Sequence, residues 1–125
     1  MKKLMIILIG CLLSFCGCQK ESNTYTQMSM SDALKEMEKS DGYILLDVRR
    51  NDEYAAGHIK GAINISNEAI LRGEVELLSD KNQKIYVYCR SGNRSLQSAK
   101  KLSELGFTNI VEIGGILDYS GELEK

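Results

Sequence analysis

Two apolar runs constrain this chain most: Tyr43-Ile44-Leu45-Leu46-Asp47-Val48 and Ile85-Tyr86-Val87-Tyr88. Neither alternates apolar with polar residues, so neither suits a strand with one wet face. Such runs fit strands covered on both faces, as in parallel sheets. Parallel neighbours need long crossovers, and the intervening segments carry helical patterns. Ser29 and Asp32 have capping-box spacing, with Asp in place of the usual Glu. Met30, Ala33, Leu34 and Met37 then recur at i, i+3, i+4, i+7 and predict an amphipathic helix that ends near Ser40, its methionines serving as core filler. Asp41-Gly42 reads as a turn, Asp52 to Ala55 as a short helical turn, and Ala62 to Ile65 as a strand. Residues 67–78 read as helical, split by Gly73. Ser95 to Leu105 is a helix with Leu96, Ala99 and Leu102 on one face and Gly106 as its stop. Asn109 to Ile113 is a last strand, Gly114-Gly115 a turn, and Tyr25 to Met28 a brief edge strand. Strands alternating with helices predict an α/β fold with a mostly parallel sheet. The crossover from strand 85–88 to strand 109–113 is expected to be right-handed. Sites in such sheets lie beyond the C-terminal strand ends, where Asp47 and Cys89 fall.

The front of the chain has a different character. Lys2 and Lys3 precede a largely apolar stretch from Leu4 to Phe15, and polarity rises abruptly after Gly17-Cys18. This is the layout of a secretory signal peptide, and the stretch is shorter than the ~20 residues that span a bilayer. Gly17-Cys18 resembles a bacterial lipoprotein signal, which implies lipidation at Cys18 after removal of residues 1–17. Leu8-Ile9-Gly10-Cys11 matches the local pattern too but leaves few apolar residues ahead of it. An uncleaved anchor, or a cut elsewhere, is the alternative. The expected organisation is a leader over 1–17, a lipidated N-terminus and tether over 18–24, and one domain over 25–125. The domain is expected outside the cytoplasmic membrane and lipid-anchored to it.

Without the leader, 14 basic side chains face 17 acidic ones. That balance offers no footprint for nucleic acid. Of four cysteines, Cys11, Cys16 and Cys18 lie at the front, so Cys89 stands alone in the domain as a free thiol. His58 is the one histidine, and no metal site is expected.

Cys89-Arg90-Ser91-Gly92-Asn93-Arg94 joins the strand at 85–88 to the helix that follows. A strand-to-helix loop of this kind turns backbone N–H groups inward and forms an anion nest. The same field favours the thiolate, the nucleophilic form of cysteine. Gly92 lets the loop turn without a Cβ clash. Arg90 and Arg94 add positive charge for an anionic substrate, or else are solvated or salt-bridged surface charges.

Several motifs in order resemble the rhodanese-like domains. Leu46-Asp47-Val48-Arg49, Glu53-Tyr54 and Gly57-His58-Ile59-Lys60-Gly61-Ala62-Ile63-Asn64-Ile65 resemble that family's first signature. Tyr86 to Ser95 resembles its active-site signature, and Leu105-Gly106-Phe107 with Gly114-Gly115-Ile116 its ending. Tyr119 stands where relatives often carry tryptophan, a packing swap. The resemblance implies a five-stranded, mainly parallel sheet with helices on both faces. It implies sulfurtransferase chemistry through a persulfide on Cys89, with Arg90, Ser91, Gly92, Asn93 and Arg94 around the substrate and no cofactor. A donor such as thiosulfate would load Cys89, and cyanide, a thiol or a sulfur-carrier or redox protein would unload it. Asp47, Arg49 and His58 are expected to support the site structurally, the acid by fixing backbone N–H groups or pairing with an arginine.

Two other readings stand beside this one. Phosphatases and arsenate reductases of the same fold use a longer loop, with five residues between cysteine and arginine; here four separate Cys89 from Arg94. Other domains of the fold are non-catalytic binding or sulfur-carrier modules, and these typically lack the cysteine.

Overall fold

The structure, a computed structural model, describes residues 24–125. The leader, Cys18 and most of the tether lie outside the described residues. Strand β1 is Thr26–Gln27, helix α1 Met30–Glu38, strand β2 Tyr43–Asp47 and helix α2 Asn51–Ala56. Strand β3 is His58–Ile59, strand β4 Ile63–Asn64 and helix α3 Asn67–Leu71. Strand β5 is Lys84–Cys89, helix α4 Asn93–Glu104, strand β6 Ile110–Gly115 and strand β7 Leu123–Glu124. A 3₁₀ turn, Ile116–Asp118, follows β6.

Five strands form one sheet in the order β1-β6-β5-β2-β4, and all four pairings are parallel. The two central runs pair directly, Leu46 beside Val87 and Asp47 beside Tyr88. Their lack of alternation follows from burial on both faces. Leu46, Val48, Ile85, Val87 and Cys89 pack with Ile70 of α3 and Ala99 and Leu102 of α4. Leu45, Tyr86, Tyr88, Val111 and Ile113 pack on the other face with Met30, Ala33 and Met37 of α1. Ser29 caps α1, its Oγ accepting from Asp32 N at 3.1 Å.

Two local expectations are corrected. Gly114 and Gly115 are not a turn but the end of β6, and Gly115 pairs with Cys89. The helical pattern over 67–78 yields only α3: the chain leaves the helix at Arg72, Leu78 is buried, and Leu77 is 68% exposed. A small antiparallel ribbon of β3 and β7 appears, placing Glu124 beside His58. Among the described residues, no helix is long and apolar enough to cross a membrane.

Candidate active site

Cys89 is the last residue of β5 and is 1% exposed. Arg90 and Ser91 turn outward, exposed, before Gly92 begins α4. Gly92 adopts φ +111°, the left-handed region where a side chain is strained. That conformation brings the Gly92 N–H onto Cys89 Sγ at 3.0 Å. Exposed Asn93 and half-buried Arg94 open the helix. Its first closing bond runs from Leu96 N to Gly92 O at 3.3 Å. The amides of Asn93, Arg94 and Ser95 precede it, as the orphan donors of a helix start. Their partial positive charge favours an anion at this end.

The back of the loop rests on β6. Leu117 N donates to Arg90 O at 3.2 Å. A Cβ on Gly115 would lie 2.1 Å from Arg90 O, so the loop sits where only glycine leaves room.

Arg94 is held by α2. Its Nη1 donates to Glu53 Oε1 at 2.7 Å and its Nη2 to Glu53 Oε2 at 3.2 Å. The hydrogen bonds from Arg94, set against partial burial, hold the Glu53 carboxyl down from 4.5 to about 2. A depressed acid contributes stability above its unfolded value and loses it as pH falls through the folded one. Comparison of wild type with Glu53→Gln by denaturant unfolding should therefore show a gap of about 1 kcal/mol above pH ~4.5, screened by partial exposure. The gap should close as pH falls toward about 2.

Asp47 and Arg49 form a buried pair behind this arrangement. Asp47 Oδ1 accepts from Arg49 N at 2.9 Å and Nε at 3.0 Å, and Oδ2 accepts from Nη2 at 2.7 Å. Arg49 Nη2 also donates to Gly57 O at 2.7 Å, just beyond α2. Burial is the largest single influence on Arg49 and opposes its charge, but hydrogen bonds to Asp47 together with attraction to Asp47, Tyr88 and Glu53 outweigh it and raise its pKa above the ordinary value. The pair thus fastens the end of α2 to the C-terminal end of β2, and α2 carries the Glu53 that meets Arg94. His58 stacks on Tyr54 at 3.8 Å between ring centres. Its Nδ1 lies 3.0 Å from Tyr54 O, and since a carbonyl only accepts, Nδ1 carries the proton. Its Nε2 lies 3.7 Å from Glu124 Oε1.

Four residues here gain a role only in the folded arrangement. Glu53 and Ser95 lie inside the recognised motifs, yet nothing local marks them as site residues. Gly115 belongs to a glycine pair that locally reads as a turn. Glu112 is an acid in an otherwise apolar strand and is 4% exposed. That interruption of Ile110 to Ile113 was the one signal available.

A strand-borne cysteine under a glycine turn, at the head of a helix, can hold a nucleophilic sulfur and the negative charge it acquires. The family model of the rhodanese-like domain matches residues 30–122. The chain belongs to that family. This rhodanese-like domain is 37% identical over 75 residues to the thiosulfate sulfurtransferase PspE of Escherichia coli (strain K12), covering 60% of this chain and 72% of that protein. It is 38% identical over 91 residues to the putative sulfurtransferase YtwF of Bacillus subtilis (strain 168), covering 72% and 86%. Among solved structures it resembles a rhodanese with anions from E. coli, with a TM-score of 0.60 and 34% identity over 66% of this chain and 98% of that one. Other curated relatives are longer proteins, of which the chain spans between 20% and 56%. The family and its relatives support sulfurtransferase chemistry in general.

Proposed function

We propose that this rhodanese-like domain moves sulfane sulfur from an anionic donor such as thiosulfate to a thiophilic acceptor, through a persulfide on Cys89. The observation that carries this reading is the Gly92 N–H held 3.0 Å from Cys89 Sγ at the start of α4. The Cys89 thiolate attacks the outer sulfur of thiosulfate. A sulfur–sulfur bond forms on Sγ while the donor's own breaks, and sulfite leaves with the electron pair. The terminal sulfur is then attacked by cyanide or a thiol, and the Cys89 thiolate departs. Helix-start amides supply fixed dipoles for the negative sulfur at both stages, an oxyanion-hole type of stabilisation. The exposed Arg90 draws the donor's charge toward the loop, while Arg94 is held in its pair with Glu53. With Cys89 1% exposed and four residues before Arg94, the loop suits one transferred atom better than a tetrahedral phosphate.

The leader pattern supports a companion reading, that this chemistry takes place outside the cytoplasmic membrane on a protein lipidated at Cys18.

Intact-mass measurement after incubation with thiosulfate tests the chemistry. The expected result is a gain of one sulfur atom that maps to Cys89 and disappears with cyanide. An unchanged mass, or a phosphate-sized adduct with a phosphorylated substrate, overturns it.

A further inference from the structure

Behind the reactive sulfur lies a buried acid that the transfer chemistry above does not use. Cys89 Sγ lies 3.4 Å from Ser95 Oγ and is placed to donate to it. The Ser95 hydroxyl has three acceptors in reach: Glu112 Oε2 at 2.5 Å, Gly92 O at 3.0 Å and Gly114 O at 3.4 Å. One hydroxyl proton serves one of them at a time, and Glu112 is both the shortest contact and the one ionisable partner. Ser95 is wholly buried and Glu112 4% exposed. Glu112 Oε2 also accepts from Gly114 N at 2.8 Å, and its Oε1 from Gln27 Nε2 at 3.4 Å. The carboxylate is therefore fixed by two strands and aimed, through one hydroxyl, at the sulfur. Glu112 also lines a cavity of about 530 Å³ together with Gln27, Ser29, Gly114 and Asp118; neither Arg90 nor Arg94 is among its lining residues.

We propose that Ser95 and Glu112 form a proton relay for Cys89, in which Glu112 takes the thiol proton through the Ser95 hydroxyl. The inference rests on Cys89 being the nucleophile of the preceding reading. The S–H bond breaks as an O–H bond forms on Ser95, and the original Ser95 proton passes to Glu112 Oε2. Negative charge moves from the carboxylate to the sulfur, and no outside reactant is consumed. Ser95 touches the reacting atom and is a catalytic residue; Glu112 acts through it and is a positioning residue.

Other charges face this cluster from the elements around it. Asp118, in the turn after β6, lines the same cavity as Glu112. Arg94 of α4 is held above its ordinary pKa first by its hydrogen bond to Glu53 and, among lesser causes, by attraction to Cys89 and Asp47. The Asp47–Arg49 pair closes the adjacent end of β2.

A shared proton has a signature that simple burial lacks. Where one proton is divided between thiol and carboxyl, the thiolate fraction is set by the balance of the two forms and hardly changes with pH. The test is the pH profile of Cys89 alkylation by iodoacetamide in the full chain, which needs no sulfur donor. In wild type the rate should change less than about threefold between about pH 7 and about pH 5.5. In Glu112→Gln the rate should instead fall steadily as pH is lowered across the same interval. Ser95→Ala, which leaves Glu112 its bond from Gly114, should show the same loss of the plateau and supplies the answer should Glu112→Gln fail to fold. Profiles of one shape in all three proteins overturn the relay. So does a Glu112→Gln profile displaced to lower pH with its shape unchanged, the mark of a carboxylate that only repels. Sulfur loading with unaltered profiles sinks the relay and leaves the transfer reading standing; a plateau without loading does the reverse.

Discussion

Cys89→Ser is expected to bring sulfur transfer from thiosulfate to cyanide down to the uncatalysed background. The fold should barely notice. Serine fits the same buried place, its hydroxyl accepts from Gly92 N and donates toward Ser95 as the thiol does, and the stability cost should be about 1 kcal/mol. What is lost is chemical. A hydroxyl is a poor nucleophile unless a base activates it, and its oxygen does not form the sulfur–sulfur bond that holds the cargo. Steady-state assay of the two proteins, with thermal melting to show that both are folded, measures this. Equal turnover would place the reaction elsewhere and leave the domain a binding module.

Gly115→Ala is expected to disturb the site nearly as strongly without touching a reacting atom. Gly115 has φ −129°, an extended backbone that alanine adopts readily, so conformational preference is not the obstacle. The obstacle is space. The added Cβ would lie 2.1 Å from Arg90 O, 2.5 Å from Arg90 C and 2.7 Å from Ser91 Cα. These are backbone atoms, which cannot swing aside as a side chain does. The loop must lift, weakening the Leu117 N to Arg90 O bond and moving the Gly92 N–H off the sulfur. Overpacking of this kind costs about 1–3 kcal/mol. Displacing the donor by about 1 Å should lower transfer about a hundredfold. Chemical denaturation and the same assay read both effects. Wild-type activity in a stably folded Gly115→Ala protein would show that the loop does not depend on this close approach.

The pattern of what was legible follows from the range of each interaction. β2 and β5 could be read because a strand buried on both faces must be apolar throughout, a property written in consecutive residues. The Ser29 cap and the face of α1 are likewise local. Gly114-Gly115 reads as a turn because a glycine pair favours one locally, whereas in the structure Gly115 meets Arg90, twenty-five positions earlier in the chain. Residues 67–78 read as helical, but the chain leaves α3 at Arg72, and beyond it Leu78 is buried while Leu77 is exposed. The candidate loop stood out through its motif and through Cys89 being the domain's lone thiol. Glu53 and Glu112 could not be assigned the same way, since an acid's partner is chosen by the folded arrangement: Arg94 across from α2 in one case, Ser95 on α4 in the other.

The pairing of Arg94 with Glu53 bears on how the domain chooses what it accepts. A guanidinium already clasped by a carboxylate exerts little net pull at a distance. Under the proposed chemistry, selection would then fall to contour: a cargo would pass if its outermost atom could reach Cys89 Sγ, whatever body trails behind. A centre built this way would be indifferent to the carrier and strict about the atom, and a single domain could draw on several suppliers.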